Sequence, residues 1–178
     1  MITELKSHNL FYRKLTADDV TETYVSWLND TEINRFLETR HKKQDLKSCM
    51  DFVISAENDP CQHLFGIFLI QDEKHIGNIK LGFINCQHNR GQLSLFIGEK
   101  KYWGKSYATE AIKTITRWGF ESLGLSRIEA GCSEENIASK NAFMKAGYTV
   151  EGYFRKHELV DGKRTNSYWF GILPNEIS

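Results

Sequence analysis

Three lysines surround a glycine in the stretch E-K-K-Y-W-G-K-S-Y, which begins at Glu99. An alternating apolar run ends just before it at Gly98, and an amphipathic helix begins after it, near Ser106 or Tyr107. The first N–H groups of a helix lack intrahelical partners, and the helix dipole is positive at that end. A basic, glycine-containing turn at a helix start therefore suits an anionic phosphate group.

Other interpretations of this turn must be weighed. Strand–turn–helix connections of this composition often bind nothing, so a solvated turn is the alternative. The stretch matches neither the G-x-G-x-x-G fingerprint nor the G-x-x-x-x-G-K-[ST] loop. A dinucleotide-binding fold and a P-loop enzyme are therefore disfavoured.

The composition predicts a single domain over residues 1–178, long enough to bury a core. Lys and Arg together number 23, as do Asp and Glu, so the formal net charge is zero. This balance argues against a broad nucleic-acid surface, although a local basic pocket is compatible with it. The polar N-terminus lacks the pattern of a signal peptide, and no stretch approaches the roughly twenty apolar residues of a membrane span. We expect a cytoplasmic protein with no membrane or nucleic-acid partner.

The cysteines and histidines show no metal-ligand spacing. There is no C-x-x-C pair among the four cysteines and no H-x-x-x-H among the six histidines. We therefore expect reduced, structural cysteines and no metal site. The cysteines are Cys49, Cys61, Cys86 and Cys132.

Apolar periodicity predicts the elements that must position the basic turn. Strands are predicted at residues 8–15, 63–70, 75–83, 92–97, 126–132, 149–159 and 164–173. Helices are predicted at residues 18–28 with Thr16 as cap, at 44–56, from 106 to a stop at Gly124, and within 133–148. The pattern is that of one α/β domain with a largely antiparallel sheet.

Taken in this order, the chain resembles the GNAT acyltransferases, and within them the RimJ/RimL-like branch. The resemblance spans nearly the whole chain and is carried by three segments. They are Y-W-G-K-S-Y-A-T-E-A at residues 102–111, N-I-A-S-K-N-A-F-M-K-A-G-Y at 136–148, and E-G-Y-F-R at 151–155 followed by D-G-K-R. Each is weak alone, but their order and spacing are specific.

The resemblance implies a GNAT fold, with a mixed, largely antiparallel sheet of about seven strands flanked by helices. It also implies an N-acetyltransferase that uses acetyl-CoA as co-substrate and needs no metal. The acetyl group would pass to a primary amine on a protein N-terminus or a small molecule, by direct attack on the thioester. Amino-sugar nucleotides and polyamines are further acceptors to consider, although no acidic cluster suited to a polyamine is obvious.

The resemblance also assigns the donor-binding residues. The turn at residues 101–107 would bind the CoA pyrophosphate, and the preceding strand end would pair with the pantetheine arm. Asn136 would hydrogen-bond this arm, with a helix N-cap as its alternative role, and Lys140 would approach a CoA phosphate unless it is simply solvated. The predicted donor-binding residues are Phe96, Ile97, Gly98, Lys101, Tyr102, Trp103, Gly104, Lys105, Ser106, Tyr107, Asn136 and Lys140.

Two positions depart from the family pattern. Ser106 stands where the family loop usually has glycine, which matters if the backbone needs an angle that glycine takes more freely. Phe143 stands where many relatives have a tyrosine acid, and it cannot give up a proton. In the RimL-like branch a serine is thought to act instead, and Ser139 occupies the matching position. The alternative for Ser139 is a helix serine bonded to its own turn.

The general base is less clearly indicated. Relatives often have a glutamate on the strand before the loop, but here Gln92 occupies that position and cannot accept a proton. We take Glu38 as the candidate, with a water chain or a merely solvated Glu38 as alternatives. A backbone N–H near Ile97 would stabilise the oxyanion. Glu110, within the motif, is expected to give structural support.

The acceptor side is predicted at residues 29–40, with Asn34 and Arg40 as candidate substrate-binding residues. The absence of the usual tyrosine and glutamate leaves a non-catalytic CoA-binding module as the alternative function. The sequence specifies neither the acceptor nor the oligomeric state, for which a homodimer stays open.

Overall fold

Eight strands in one sheet and four α-helices make up the computed structural model of the chain, which describes residues 4–177. The strands are β1 (Leu5–Lys6), β2 (Leu10–Lys14), β3 (His63–Leu69), β4 (His75–Asn85), β5 (Arg90–Ile97), β6 (Arg127–Ser133), β7 (Thr149–Val160) and β8 (Lys163–Ile172). The helices are α1 (Glu22–Asn29), α2 (Leu46–Asn58), α3 (Tyr107–Leu123) and α4 (Ile137–Lys145). The sheet order is β1-β2-β3-β4-β5-β6-β8-β7.

The predicted α/β class with a largely antiparallel sheet is confirmed. Every neighbouring pair is antiparallel except β5 and β6. The sequence predicts about seven strands, whereas the sheet has eight. The additional strand, β1, has two residues and is too short to show an alternating pattern.

The first helix begins later than the prediction of residues 18–28. It starts at Glu22, and its cap is Thr21 rather than Thr16. Thr16 instead opens a short 3-10 turn, in which the Asp19 carboxylate accepts a hydrogen bond from the Thr16 N–H at 2.8 Å. This local bond competes with helix continuation, as Asp side chains commonly do.

Helices cover both faces of the sheet, and β3 shows how its side chains are divided between them. Phe65 and Ile67 lie in the buried cluster that includes α3 and α4, whereas Leu64 and Phe68 lie in the cluster of α1 and α2. Alternate side chains of a strand point to opposite faces. β3 is therefore buried on both sides, which explains its nearly continuous apolar run in the sequence.

The pairing of β5 with β6 is short and then stops. It covers three residue pairs, from Arg90↔Arg127 to Gln92↔Glu129. Beyond that point β6 continues beside β8, and β5 continues beside β4 up to Ile97. Within residues 4–177, the far half of β5 thus has a strand neighbour on one side only, and a gap opens at the carboxyl ends of the two strands.

Candidate functional site

A cleft of about 490 Å³ occupies the gap between β5 and β6. Its walls are the end of β5, the basic turn, the first turn of α3, one face of α4 and part of residues 30–41. We call residues 30–41 the strap, because they run along the cleft between α1 and α2. Eight of the predicted donor-binding residues line the cleft: Phe96, Ile97, Tyr102, Trp103, Gly104, Ser106, Tyr107 and Asn136.

The end of β5 presents backbone groups to this cleft. The Gly98 N–H donates to the Ile76 carbonyl at 2.8 Å, which fixes which residues of β5 face β4. Hydrogen bonds to an antiparallel neighbour alternate along a strand, so the N–H and C=O groups of Leu95 and Ile97 point away from β4. The Ile97 carbonyl accepts from the Trp103 indole N–H at 2.8 Å. The Ile97 N–H is thus aimed at the cleft.

Gly98 itself lies outside the cleft lining. Its backbone is bonded to β4, and a Cβ at this position would clash with the Trp27 indole. Phe96 lines the cleft with its side chain, whereas the alternation turns its backbone groups towards β4. The geometry therefore favours Leu95 and Ile97 as the residues whose backbone can bond an extended ligand.

The start of α3 is built by a left-handed residue. Ser106 adopts φ 65° and ψ 6°, and its carbonyl accepts the first helical bond, from the Glu110 N–H at 3.0 Å. Non-glycine residues reach this conformation at a cost of about 1–2 kcal/mol. Glycine would be the better fit here, as the departure from the family pattern suggested. Tyr107, Ala108 and Thr109, which carry the first N–H groups of the helix, all line the cleft.

The predicted lysines lie around the turn rather than inside the cleft. The Lys101 and Lys105 ammonium groups lie 4.8 and 5.4 Å from the centre of the Tyr102 ring. Lys100 pairs with Asp30 at 2.9 Å and with Glu32 at 2.6 Å, and so ties the turn to the strap.

On α4, the cation that lines the cleft is Lys145, and Lys140 does not. The Lys140 ammonium lies 4.0 Å from the centre of the Tyr168 ring. Lys145 shares a helix face with Ala138 and Asn141, which also line the cleft. The three- and four-residue spacing of this face was visible in the sequence and distinguishes Lys145 from Lys140.

Asn136 caps α4, and it also faces the cleft. Its Oδ1 accepts from the Ser139 N–H at 3.1 Å, which is the N-cap role considered as its alternative. Cap and ligand contact are compatible, because the side-chain N–H₂ remains available as a donor. A contact with the donor stays a prediction.

Ser139 lines the cleft, and its hydroxyl lowers the pKa of the Cys132 thiol on β6, an effect that burial outweighs. Burial raises the pKa of the Cys132 thiol to about 11, so the thiol stays protonated near neutral pH. Phe143, in contrast, is buried in the aromatic core, where its ring packs on Tyr148 and Phe170. Of the two positions, only Ser139 offers a protic side chain to the cleft.

The strap reaches the cleft through residues other than those predicted. Glu38 is 86% exposed and does not line the cleft. Asn34 is buried and donates to the Leu28 carbonyl at 2.8 Å, which closes the turn after α1. The strap lines the cleft instead with Glu32, Ile33, Arg35, Phe36 and Leu37.

Glu158 on β7 is a titratable group that the sequence analysis missed. It is half-buried, and this burial raises its pKa, an effect that Glu38 reinforces and that His157 and Arg40 oppose. Its charge also raises the pKa of the Cys132 thiol, although Glu158 itself does not line the cleft. A bulge between Phe154 and Glu158 sets its orientation, and no sequence pattern announces that bulge.

Glu110 supports the fold rather than the cleft. Its carboxylate accepts from the Ser7 hydroxyl at 2.7 Å and from the Asn9 N–H at 2.6 Å. Burial alone would raise its pKa, but these hydrogen bonds outweigh burial and lower it. Glu110 thereby ties α3 to the start of β2.

No helix within residues 4–177 is long and apolar enough to cross a membrane. In that same part of the chain, no group of three or more His, Cys, Asp or Glu residues is placed to hold a metal ion.

The sequence matches a family model described as acetyltransferase (GNAT) domain over residues 9–149. Among curated relatives, the uncharacterized N-acetyltransferase YnaD of Bacillus subtilis is 37% identical over 173 residues, which cover 97% of this chain and 98% of the relative. The probable N-acetyltransferase YjcK of Bacillus subtilis is 38% identical over 120 residues, covering 65% of this chain and 64% of the relative.

A GNAT-family acetyltransferase of Bacillus anthracis has a similar structure, with a TM-score of 0.84, 25% identity and coverage of 98% of this chain and 100% of that one. A Vibrio cholerae spermidine N-acetyltransferase, solved with CoA and spermine, shares the fold with a TM-score of 0.84 at 19% identity, covering 94% of this chain and 97% of that one. The family match, the relatives and the fold agree: the chain belongs to the GNAT family of acetyltransferases.

Proposed function

We propose that this acetyltransferase uses acetyl-CoA and transfers the acetyl group to a primary amine by direct attack on the thioester. The observation that carries the proposal is the cleft that opens where β5 and β6 separate and ends at the start of α3. An extended, amide-containing ligand can bond to the free N–H and C=O groups of Leu95, which leaves the Ile97 N–H for the reacting end of the ligand. Its diphosphate then meets the unpaired N–H groups of the first turn of α3.

In the chemical step, the amine nitrogen attacks the thioester carbonyl, the new C–N bond forms and the C–S bond breaks. The Ile97 N–H, aimed at the cleft, is placed to donate to the oxyanion. Ser139 is the candidate acid that gives a proton to the leaving CoA thiolate. The amine, whose pKa is about 10, must lose a proton before it attacks.

For that proton we favour Glu158 over Glu38. Neither carboxylate lines the cleft, but Glu38 is 86% exposed, whereas Glu158 is half-buried on β7 and its charge acts on the Cys132 thiol. Burial moves the pKa of Glu158 upward, towards the range in which a base is effective near neutral pH. A candidate acid in the cleft lining, Ser139, together with Glu158 of β7 as the proposed base, supports an enzyme over a CoA-binding module. Within this function, a protein N-terminus and an amino-sugar nucleotide remain acceptors to be tested.

The test is thiol release from acetyl-CoA with a panel of amines, in which N-terminal peptides, amino sugars and polyamines are compared. A general base contributes about 100-fold or more, so Glu158→Gln should lower kcat/KM by about that factor. Glu38→Gln, a matched carboxylate of the strap, should change it by less than about threefold. An equal loss in both variants would reject the choice of Glu158. Donor binding without thiol release on any amine would overturn the enzymatic proposal.

A further inference from the structure

Arg40 is held unusually firmly for a charged residue on an exposed segment. Its side chain is 12% exposed. One terminal nitrogen donates to the Leu37 carbonyl at 2.7 Å, and the other donates to the Leu159 carbonyl at 3.1 Å. Its one carboxylate partner is Glu38, at a longer 3.4 Å. The guanidinium is thus fixed mainly by neutral carbonyls, and its charge is not cancelled by a tight ion pair.

The two carbonyls belong to functionally different parts of the molecule. Leu37 lines the cleft, and Leu159 directly follows Glu158 on β7. Arg40 therefore joins the cleft wall to the backbone beside Glu158. Arg40 does not line the cleft, both of its terminal nitrogens donate to carbonyls, and its buried Nε has no hydrogen-bond partner, so the geometry does not favour a direct substrate contact.

The charges around Glu158 come from three parts of the chain. His157, its neighbour on β7, and Arg40 of the strap lower the pKa of Glu158, Glu38 of the strap raises it, and Glu158 in turn raises the pKa of Cys132 on β6. Arg40 is a permanent cation, because a guanidinium does not lose its proton in proteins. It is also the cation that the hydrogen bonds hold in place.

We propose that Arg40 is a positioning residue for Glu158: it fastens β7 to the cleft wall, and its fixed charge keeps the Glu158 carboxylate ionised and ready to accept a proton. This inference rests on the proposed function. In this role Arg40 does not make the substrate contact that the sequence suggested. Substitutions can distinguish the effect of the Arg40 charge from the effect of its hydrogen bonds.

The first test compares the pH dependence of kcat/KM in Arg40→Gln and Arg40→Lys. Loss of the charge should move the midpoint of the acid limb upward, because Arg40 lowers the pKa of Glu158. Lysine keeps the charge but cannot reproduce the two-pronged geometry, so it should keep the midpoint while lowering kcat several-fold. Arg155→Met, an exposed arginine on the same strand, serves as control and should leave the midpoint unchanged.

A second measurement does not depend on turnover. Titration of ¹³C-labelled glutamate side chains by NMR, with Glu158→Gln used to assign the signal, should show a higher Glu158 pKa in Arg40→Gln than in the unmodified protein. Absence of turnover on every amine would count against the proposed function, while this titration would still decide the role of Arg40. Unchanged titration and an unchanged acid limb in a folded Arg40→Gln protein would overturn the inference.

Discussion

The left-handed backbone of Ser106 gives a direct test of how the donor-binding turn is built. Its φ of 65° is one that L-residues adopt at a cost of about 1–2 kcal/mol. The side chain is exposed and makes no capping hydrogen bond, so its removal should cost little. Ser106→Gly should therefore relieve the backbone cost without loss of a contact.

The expected change in the free energy of unfolding of Ser106→Gly follows from two opposing effects. Glycine loses about 0.5–1 kcal/mol through the greater freedom of the unfolded chain. Set against the relief of about 1–2 kcal/mol, this leaves a net stabilisation of about 0.5–1 kcal/mol. For a chain of this length, such a change raises Tm by about 2 °C.

Gly104 offers the reverse experiment in the same turn. Its φ is +73°, and an added Cβ would have no atom within 4 Å. Gly104→Ala should therefore destabilise the protein by about 1 kcal/mol through the backbone angle alone. The pair separates the effect of the angle from the effect of side-chain contacts.

Urea unfolding followed by tryptophan fluorescence measures both changes. Ser106→Gly should raise the urea midpoint at an unchanged slope, and Gly104→Ala should lower it. Ser106→Ala is the control, because it removes the hydroxyl and keeps the left-handed angle, and its midpoint should match that of the unmodified protein. Equal midpoints for Ser106→Gly and Ser106→Ala would refute the argument from backbone angle.

Two further predictions concern donor affinity and acid stability. We expect Lys145, which lines the cleft, to contact a phosphate of the donor. Lys145→Gln should then raise the KM for acetyl-CoA about fivefold, the effect of losing about 1 kcal/mol, whereas Lys140→Gln should leave KM within about twofold. Equal effects in the two variants would reject the phosphate contact of Lys145. Glu110→Gln should destabilise the protein by about 1 kcal/mol near neutral pH, because the hydrogen-bond set from Ser7 and Asn9 can no longer be satisfied fully. Since the folded-state pKa of Glu110 is lowered, its contribution is present above the unfolded value of 4.5 and is lost as pH falls through the folded pKa. Urea midpoints of the two proteins should therefore converge on acidification, and a constant difference would contradict this reasoning.

The part of the cleft that we propose binds the donor was foreseeable because its signals are local. The apolar run, the basic turn and the amphipathic helix follow one another within about thirty residues, and such periodic patterns are reliable guides. Gly124 ends α3 in the left-handed conformation, as the helix-stop signal predicts. The sequence identified Ser106 as a departure from the glycine that is usual in the family. Its φ of 65° is a backbone angle that glycine adopts more freely than serine.

The acceptor half was less accessible because its geometry depends on distant contacts. Arg35 ties the strap to the rest of the molecule by pairing with Glu135 and Asp161, which lie 100 and 126 positions further along the chain. The bulge that orients Glu158 depends on how β7 meets β8, and no periodic pattern encodes it. Propensity and spacing locate segments, but they do not determine which side chains of two distant segments come together.

The short ladder between β5 and β6 also has a mechanical consequence. Three residue pairs form the strand ladder between the β1–β5 part of the sheet and the β6–β8 part, so the backbone connection at this junction is short. A ligand that bonds to the free edge of β5 on one side and contacts α4 on the other would link the two parts of the sheet across this junction. Occupancy should then slow amide hydrogen exchange on both sides of the junction at once.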